Sequence, residues 1–258
     1  MDFIPLMIPD IQPQDKQAVI DVLDSGMLIQ GKKVAELERQ FCEYLGMENA
    51  IAVSNGTATM HLILHAWGIG PGDEVIVPAL SYVATANVVE LVGAKVVFVD
   101  VDENAFNIDV TKIEEKITVN TKAILPVHEF GLCCNIEAIC DLAKKHDLLV
   151  LEDAACALGA TSNGKFSGTF GDAASFSLHP RKAITSGEGG VIVTNDAKLA
   201  SKLRMLRNHG IEMQNGEMTF PTAGFNYRLT DIQAALVSSQ FKRLQTILEY
   251  KRELAKVY

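Results

Sequence analysis

Short apolar runs rich in β-branched residues alternate along this chain with longer segments of helical periodicity. The runs predict seven strands, over residues 50–54, 74–78, 95–100, 123–127, 148–152, 173–178 and 191–194. Helices are predicted over residues 33–45, 57–67, 82–92 and 136–145. In the first of these, apolar side chains recur at steps of three and four residues, which places them on one face. This alternation predicts an α/β fold with three layers, in which a mostly parallel seven-stranded sheet is covered by helices on both faces.

The last predicted helix begins near Thr230 and Asp231, which are suitable N-cap residues. From there the pattern continues to Tyr258 without a Gly or Pro stop signal. Two interpretations stay open on periodicity alone. The helix either leads into a further segment or docks against the domain as its C-terminal element.

Composition excludes several classes of protein. The chain has 258 residues, with 23 Lys and Arg against 32 Asp and Glu, so its formal net charge is -9. An acidic chain is a poor partner for nucleic acid or an anionic membrane surface, although a local site for a small anion remains possible. No apolar run approaches the ~20 residues of a membrane span. The N-terminal segment also lacks the basic start and apolar core of a secretory signal.

The cysteines favour a reducing, cytoplasmic location. Their number is odd and their density is low, which argues against a disulfide framework. No paired CxxC motif occurs, so ordinary thiols are a better interpretation than a metal site, and we expect no metal. The five residues are Cys42, Cys133, Cys134, Cys140 and Cys156.

Residues after the first two predicted strands are candidates for binding an anion and a flat ring. Gly56, Thr57 and Ala58 open a predicted helix, whose N-terminus offers free N–H groups and a positive dipole end. Tyr82 follows the second strand and could cover the face of a planar ligand. Each feature alone has an ordinary explanation: a turn with an N-cap for the first, and a packing residue for the second.

Two later strand ends carry charged groups. Glu152 and Asp153 close an apolar run and are followed by small residues, a pattern that fits either a ligand site or an N-cap. Lys182 lies between an apolar strand and a Gly-rich turn, where partial desolvation would suit an imine-forming amine. An exposed loop lysine is the plain alternative.

Together these features match the needs of pyridoxal phosphate. The cofactor requires an anion site for its phosphate, a platform for its ring, a carboxylate for its pyridine nitrogen and a lysine for its aldehyde. In open α/β sheets such groups meet beyond the carboxyl ends of the strands.

The chain resembles the sugar aminotransferases of the DegT/DnrJ/EryC1/StrS family, which are fold-type I pyridoxal phosphate enzymes. The matching segments run in family order from residue 54 to residue 236. They are SNGTATMHL, VPALSYVATANVV, PVHEFG, LEDAACALGA, SFSLHPRKAITSGEGG, LRNHG and GFNYRLTDIQAAL.

The resemblance implies roles for individual residues. Lys182 would bind the cofactor as an imine and then move protons at the substrate carbon. Asp153 would pair with the pyridinium nitrogen, Tyr82 would stack on the ring, and Cys156 would face the ring hydroxyl, where many members have Gln or His. The phosphate would be held by Gly56, Thr57, Ala58, Ser177 and, from the neighbouring subunit, Asn226.

The resemblance also implies an activity. Glutamate is the usual amino donor, and the acceptor is a keto group on a nucleotide-linked sugar. The product feeds polysaccharide, glycan or antibiotic synthesis, and the enzyme is a homodimer with shared sites. A subgroup that replaces the lysine with His performs dehydration, so the retained Lys182 favours transamination.

The resemblance implies a domain division as well. Residues 1–240 would form the cofactor-binding large domain. Residues 241–258 would begin a helix leading to a small C-terminal domain that the chain lacks.

Two alternatives follow from this pattern. The chain could catalyse another fold-type I reaction, such as desulfuration or an aldol cleavage, with Cys156 as a reactive thiol. It could also be a catalytically silent remnant or partner subunit that binds cofactor without turnover, since the small domain is absent.

Overall fold

The computed structural model describes residues 7–257. The first six residues of the segment tested for a secretory signal, and Tyr258 at the end of the last predicted helix, lie outside this range.

Seven strands form the central sheet, and all seven were predicted from the sequence within a few residues. Two short hairpins accompany them. In chain order the strands are β1 (Asn49–Val53), β2 (Glu74–Pro78), β3 (Lys95–Val99), β4 (Thr121–Ile124), β5 (Leu149–Asp153), β6 (Thr161–Ser162), β7 (Lys165–Phe166), β8 (Ala173–Ser177), β9 (Gly190–Thr194), β10 (Glu212–Gln214) and β11 (Glu217–Thr219).

The central sheet has the order β1-β9-β8-β5-β4-β2-β3. β9 runs antiparallel to both of its neighbours, and the other pairs in the sheet are parallel. The mostly parallel sheet is therefore confirmed.

The four predicted helices are confirmed; one further helix precedes them and three follow them. In chain order the helices are α1 (Pro13–Ser25), α2 (Lys32–Leu45), α3 (Gly56–Trp67), α4 (Ala84–Leu91), α5 (Ile136–Lys145), α6 (Ala197–Arg207), α7 (Asp231–Phe241) and α8 (Leu244–Ala255). Within residues 7–257, no helix is both long and apolar enough to cross a bilayer.

Alternate side chains of each strand serve two different cores. Ile51 and Val53 of β1 belong to a core on one face of the sheet, to which α3, α4 and α6 also contribute. Ala50 and Ala52 face the opposite side, where α2, α7 and α8 lie. On that same side, α5 covers Ile76 of β2 and its neighbours. Since successive residues of a strand point to opposite faces, this alternation produces the predicted three layers.

The prediction of one continuous C-terminal helix is wrong. Thr230 caps α7 as expected, with a capping box to Gln233, but the helix ends at Phe241 and α8 begins at Leu244. Between them Arg243 has φ -117 and ψ 17, outside the helical range. Its guanidinium donates to the buried carboxylate of Asp15 in α1 at 2.7 Å and also binds Asp10. These contacts lie far from Arg243 in sequence, which explains why no local signal marks the break.

Asp231 caps a helix to which it does not belong. The N-cap residue of α2 is Gly31, which has no side chain to satisfy the free N–H groups. The Asp231 carboxylate accepts from the N–H groups of Gly31 at 2.8 Å, Lys33 at 3.1 Å and Val34 at 3.0 Å. A Cβ on Gly31 would lie 2.9 Å from Asp231 Oδ2, so the glycine makes room for the carboxylate.

Replacing this carboxylate should destabilise the fold strongly. Because Asp231→Ala leaves three N–H donors, one buried and two partly buried, without an acceptor at a helix N-terminus, we expect a loss of about 2–3 kcal/mol in the free energy of unfolding. Thr230→Ala, which removes an ordinary N-cap, should lose only about 1 kcal/mol. Urea unfolding followed by circular dichroism measures both, and equal losses would contradict the remote capping role.

Candidate active site

The carboxyl ends of β1, β5 and β8 lie at one edge of the sheet. β9 is antiparallel to both β1 and β8, and its first residue, Gly190, pairs with Val53 and with Ser177. β5 lies parallel to β8, with Asp153 opposite Ser175. The residues that follow these strands therefore share one space, as expected at the edge where α/β sheets bind ligands.

The N-terminus of α3 and Ser177 form a small cradle. A Cβ on Gly56 would lie 2.9 Å from the Cβ of Ser177, so a larger residue would fill the space. Among residues 7–257, the N–H groups of Gly56 and Thr57 have no hydrogen-bond acceptor, whereas the N–H of Ala58 donates to Asn55 Oδ1 at 2.8 Å. Two free N–H groups, a helix dipole and a hydroxyl suit a phosphate. The structure assembles Gly56, Thr57 and Ser177 in this way, with the N–H of Ala58 engaged by the cap.

Asp153 is a buried carboxylate without a cation. Its side chain accepts from the N–H of Ala155 at 3.0 Å and from the hydroxyl of Thr85 at 3.3 Å. No ion pair to Asp153 occurs within the described part of the chain. Burial raises the pKa of this carboxyl, while the Ala155 N–H and the positive charge of Lys182 oppose the shift. Such a group suits a ligand that brings its own N–H⁺.

Lys182 lies beside Cys156, with Nζ 3.0 Å from Sγ. The loop that carries it is closed by the bond from Leu178 N–H to the Gly189 carbonyl at 2.8 Å. Gln240 of α7 anchors the same loop from the other side, because its side chain accepts from Thr185 N–H at 3.1 Å and donates to the Thr185 carbonyl at 2.7 Å. The lysine therefore extends from a fixed backbone.

The neighbouring carboxylate, Glu152, has a structural role. Its two oxygens accept from four donors: the N–H groups of Phe170 and Gly171, both at 2.7 Å, the N–H of Gly168 at 2.8 Å, and Nε2 of His128 at 2.9 Å. Since Cys134 N–H donates to Nδ1 of His128, Nε2 is the ring nitrogen that donates to Glu152. Four donors fill the acceptor positions of this one carboxylate. The sequence singled out Glu152 but not this role.

Glu129 is a site neighbour that the sequence reasoning missed. Its side chain is half-buried, and its backbone N–H donates to Asn107 Oδ1 at 2.9 Å. Burial and the negative charge of Asp153 raise the pKa of Glu129, while Lys182 lowers it. The sequence signal for Glu129 was its place in the PVHEFG segment, which follows the strand beside β5.

Two predicted residues stand apart from this cluster. Tyr82 is 78% exposed, and its carbonyl accepts from the N–H of Thr85, the residue that contacts Asp153. Asn226 is also exposed, in a segment whose neighbour Tyr227 accepts from Ser54 N–H at the end of β1. Both residues thus lie on elements that border the site, with their side chains open to solvent.

Replacing the carboxylate by an amide should have opposite effects on stability at Glu152 and at Asp153. Because burial raises the pKa of Asp153, its stabilising contribution is greatest at low pH and falls as pH rises through the raised pKa. Asp153→Asn should therefore raise the melting temperature of the cofactor-free chain near neutral pH. The gain should vanish in acid, where Asp153 is protonated.

Glu152→Gln is the matched comparison. The NH₂ group of the new amide would face two of the four groups that now donate to Glu152, so donor would meet donor. We therefore expect a loss of about 3 kcal/mol in the free energy of unfolding. Thermal melts and urea titrations over a range of pH measure both variants. Destabilisation by Asp153→Asn at neutral pH would show that the carboxylate is already satisfied.

Comparisons with known proteins show the family to which the chain is similar. The model of the DegT/DnrJ/EryC1/StrS aminotransferase family matches residues 9–258. The chain is 46% identical over 256 residues to the GDP-perosamine synthase of Caulobacter vibrioides, covering 99% of this chain and 69% of that protein. It is 42% identical over 268 residues to the UDP-4-amino-4-deoxy-L-arabinose–oxoglutarate aminotransferase of Shewanella sediminis, covering 100% of this chain and 68% of that protein.

A solved structure has the same fold. The apo-form of the putative sugar aminotransferase Spr1654 from Streptococcus pneumoniae superposes with a TM-score of 0.95 at 32% identity, over 99% of this chain and 70% of that one. The same protein has been solved in a PLP-form and a PMP-form. The predictions of the fold and of pyridoxal phosphate as cofactor are thereby confirmed. This chain belongs to the DegT/DnrJ/EryC1/StrS aminotransferase family.

Proposed function

We propose that this chain transfers an amino group to a keto group on a nucleotide-linked sugar, in polysaccharide or glycan synthesis. Glutamate is the proposed amino donor. The observation that carries the proposal is the buried carboxylate of Asp153, which has no cationic partner within residues 7–257 and lies at the same sheet edge as Lys182 and the α3 cradle. The nucleotide part of the substrate rests on the names of the relatives, which refer to GDP and UDP sugars.

The residues present fit pyridoxal phosphate. The N–H groups of Gly56 and Thr57, with the hydroxyl of Ser177, would hold its phosphate. Asp153 would hold the proton of its ring nitrogen. When bound, the cofactor supplies an electron sink for the carbon that carries the amino group.

The chain's own groups would then position and move protons. Lys182 Nζ would take a proton from the substrate carbon and return it, and the anchoring of its loop by Gln240 would keep that atom in reach. Asp153 lies at the end of β5, next to the strand that leads to the Lys182 loop. It would remain an anion throughout, because the protonated ring nitrogen would provide a positive charge beside this buried carboxylate.

We further propose a homodimer with shared sites. The exposed Asn226 would reach the phosphate bound by the neighbouring subunit, and the exposed Tyr82 would cover the ring. Residues 1–240 would form the cofactor-binding unit, with residues 241–258 leading towards a small domain. Five free cysteines suit a cytoplasmic location.

Borohydride trapping and a half-reaction test the cofactor role. With pyridoxal phosphate added, the chain should gain a visible absorption band, and reduction should leave a stable adduct on Lys182. Adding glutamate before reduction should convert the cofactor to pyridoxamine phosphate with release of 2-oxoglutarate, in equal amounts.

Lys182→Ala should show neither band nor adduct, whereas Lys251→Gln should behave as the parent chain. Binding without glutamate turnover would overturn transamination in favour of a silent cofactor-binding subunit. Sulfide release from cysteine would favour a desulfurase instead.

Hybrid dimers test the shared site. Asn226→Ala should weaken cofactor binding about tenfold, the equivalent of one charge-assisted hydrogen bond of about 1.4 kcal/mol. When Asn226→Ala and Lys182→Ala chains are mixed and refolded together, each hybrid dimer regains one intact site. Titration with pyridoxal phosphate should then reveal a fraction of sites with the parent affinity. If mixing restores no such fraction, Asn226 does not act across subunits.

A further inference from the structure

The thiol of Cys156 and the amine of Lys182 form a close nucleophile pair. Nζ lies 3.0 Å from Sγ, and the side chain of Cys156 is exposed, so small reagents in solvent reach the sulfur. The two residues are 26 positions apart and lie on different loops. Each loop is anchored separately, through Ala157 N–H to the Ala154 carbonyl at 2.9 Å and through the Gln240–Thr185 pair. Folding therefore holds the two atoms together.

Cys156 is also the cysteine best placed to react. The other four are buried or half-buried. Burial raises the pKa of Cys42, Cys133 and Cys134, and raises that of Cys140 to about 12. Since the thiolate is the form that peroxide oxidises, these four thiols are protected near neutral pH.

We propose that Cys156 and Lys182 are a modification site, at which a hydroperoxide closes a reversible sulfur–nitrogen cross-link in the cofactor-free chain. First, the Cys156 thiolate attacks the peroxide. The O–O bond breaks, one oxygen is transferred to sulfur to give a sulfenic acid, and the peroxide is reduced to water or an alcohol. The sulfur is oxidised by two electrons in this step.

The second step uses the lysine. The lone pair of Lys182 Nζ attacks the oxidised sulfur, an S–N bond forms, the S–O bond breaks, and the oxygen leaves as water with a proton from the amine. A thiol reductant reverses the link by attacking the sulfur and releasing the amine, with net oxidation of two reductant thiols to a disulfide. The nearest backbone competitor, the N–H of Ala157, is already hydrogen-bonded to the Ala154 carbonyl.

The cross-link would act as an oxidative off-switch. A Lys182 amine bound to sulfur is no longer free to attach pyridoxal phosphate, and bound cofactor would in turn protect the amine. This consequence rests on the proposed role of Lys182, but the cross-link itself does not. It forms in the chain without any cofactor.

Peptide mapping after oxidation tests the proposal. The cofactor-free chain is treated with hydrogen peroxide, blocked with an alkylating agent and digested with trypsin without reductant. Cleavage fails at a modified lysine, so the expected product joins peptide 146–165 to peptide 182–198. Its mass is the sum of the two peptides minus two hydrogen atoms, and it should disappear after dithiothreitol.

Variants separate the proposal from its alternatives. Cys156→Ser and Lys182→Ala should abolish the linked pair, and in Lys182→Ala the sulfur should proceed to sulfinic and sulfonic acids. Cys140→Ser and Lys251→Gln should leave the yield unchanged. Lys251 serves as the control amine because its Nζ lies near the same loop, 3.3 Å from the Lys182 carbonyl oxygen. Prior loading with pyridoxal phosphate should suppress the link several-fold.

Three results would overturn the proposal: over-oxidised Cys156 without a linked pair in the parent chain, a link to Lys251, or a linked pair that retains an oxygen atom. Failure of the cofactor role would appear separately, as an intact cross-link in a chain that never traps pyridoxal phosphate.

Discussion

One buried carboxylate joins the strand ends on which the site is built. Glu152 sits at the carboxyl end of β5 and accepts four hydrogen bonds from two other segments. One segment, residues 168–171, leads into β8 and so places Ser177. The other contains His128, whose backbone N–H also donates to the Asp153 carbonyl at 3.0 Å. A buried carboxylate with four hydrogen bonds is costly to disturb, which keeps the three segments in fixed relation.

Asp153, the next residue, lacks the hydrogen-bond donors that surround Glu152. Strand geometry directs Glu152 and Asp153 to opposite faces of β5, and only the first is surrounded by donors. Asp153 has one good hydrogen bond, one long one and a raised pKa. Stability would favour a neutral residue there. A charged residue is useful there if a cationic ring nitrogen of the cofactor provides the positive partner that the protein lacks. The carboxylate that destabilises the cofactor-free chain would then contribute to cofactor affinity.

Polar contacts between residues far apart in sequence fix the N-terminus of α2 and the loop that carries Lys182. Asp231 of α7 caps α2. Gln240, on the same helix, holds the Lys182 loop through the backbone of Thr185. The outer helical layer thus contributes directly to the position of the amine. The 3.0 Å contact between Lys182 and Cys156 is a further product of this arrangement, and it places an oxidisable sulfur next to the one amine on which the proposed chemistry depends.

The sequence by itself determined the seven central strands, four helices and the strand-end positions of Gly56, Asp153, Ser177 and Lys182. Those features depend on local periodicity and on the residues that follow each strand. The start of α1 also has a local sequence signal, Pro13 and a capping box between Gln12 and Asp15, although this helix was not predicted. Only the tertiary structure decided which polar groups are satisfied. Glu152 is surrounded by donors and Asp153 is not, Arg243 interrupts the last helix by reaching α1, and Cys156 meets Lys182. Each of these outcomes depends on partners brought together by packing of the sheet and its helices, and no pattern within a short window of sequence specifies a distance between such partners.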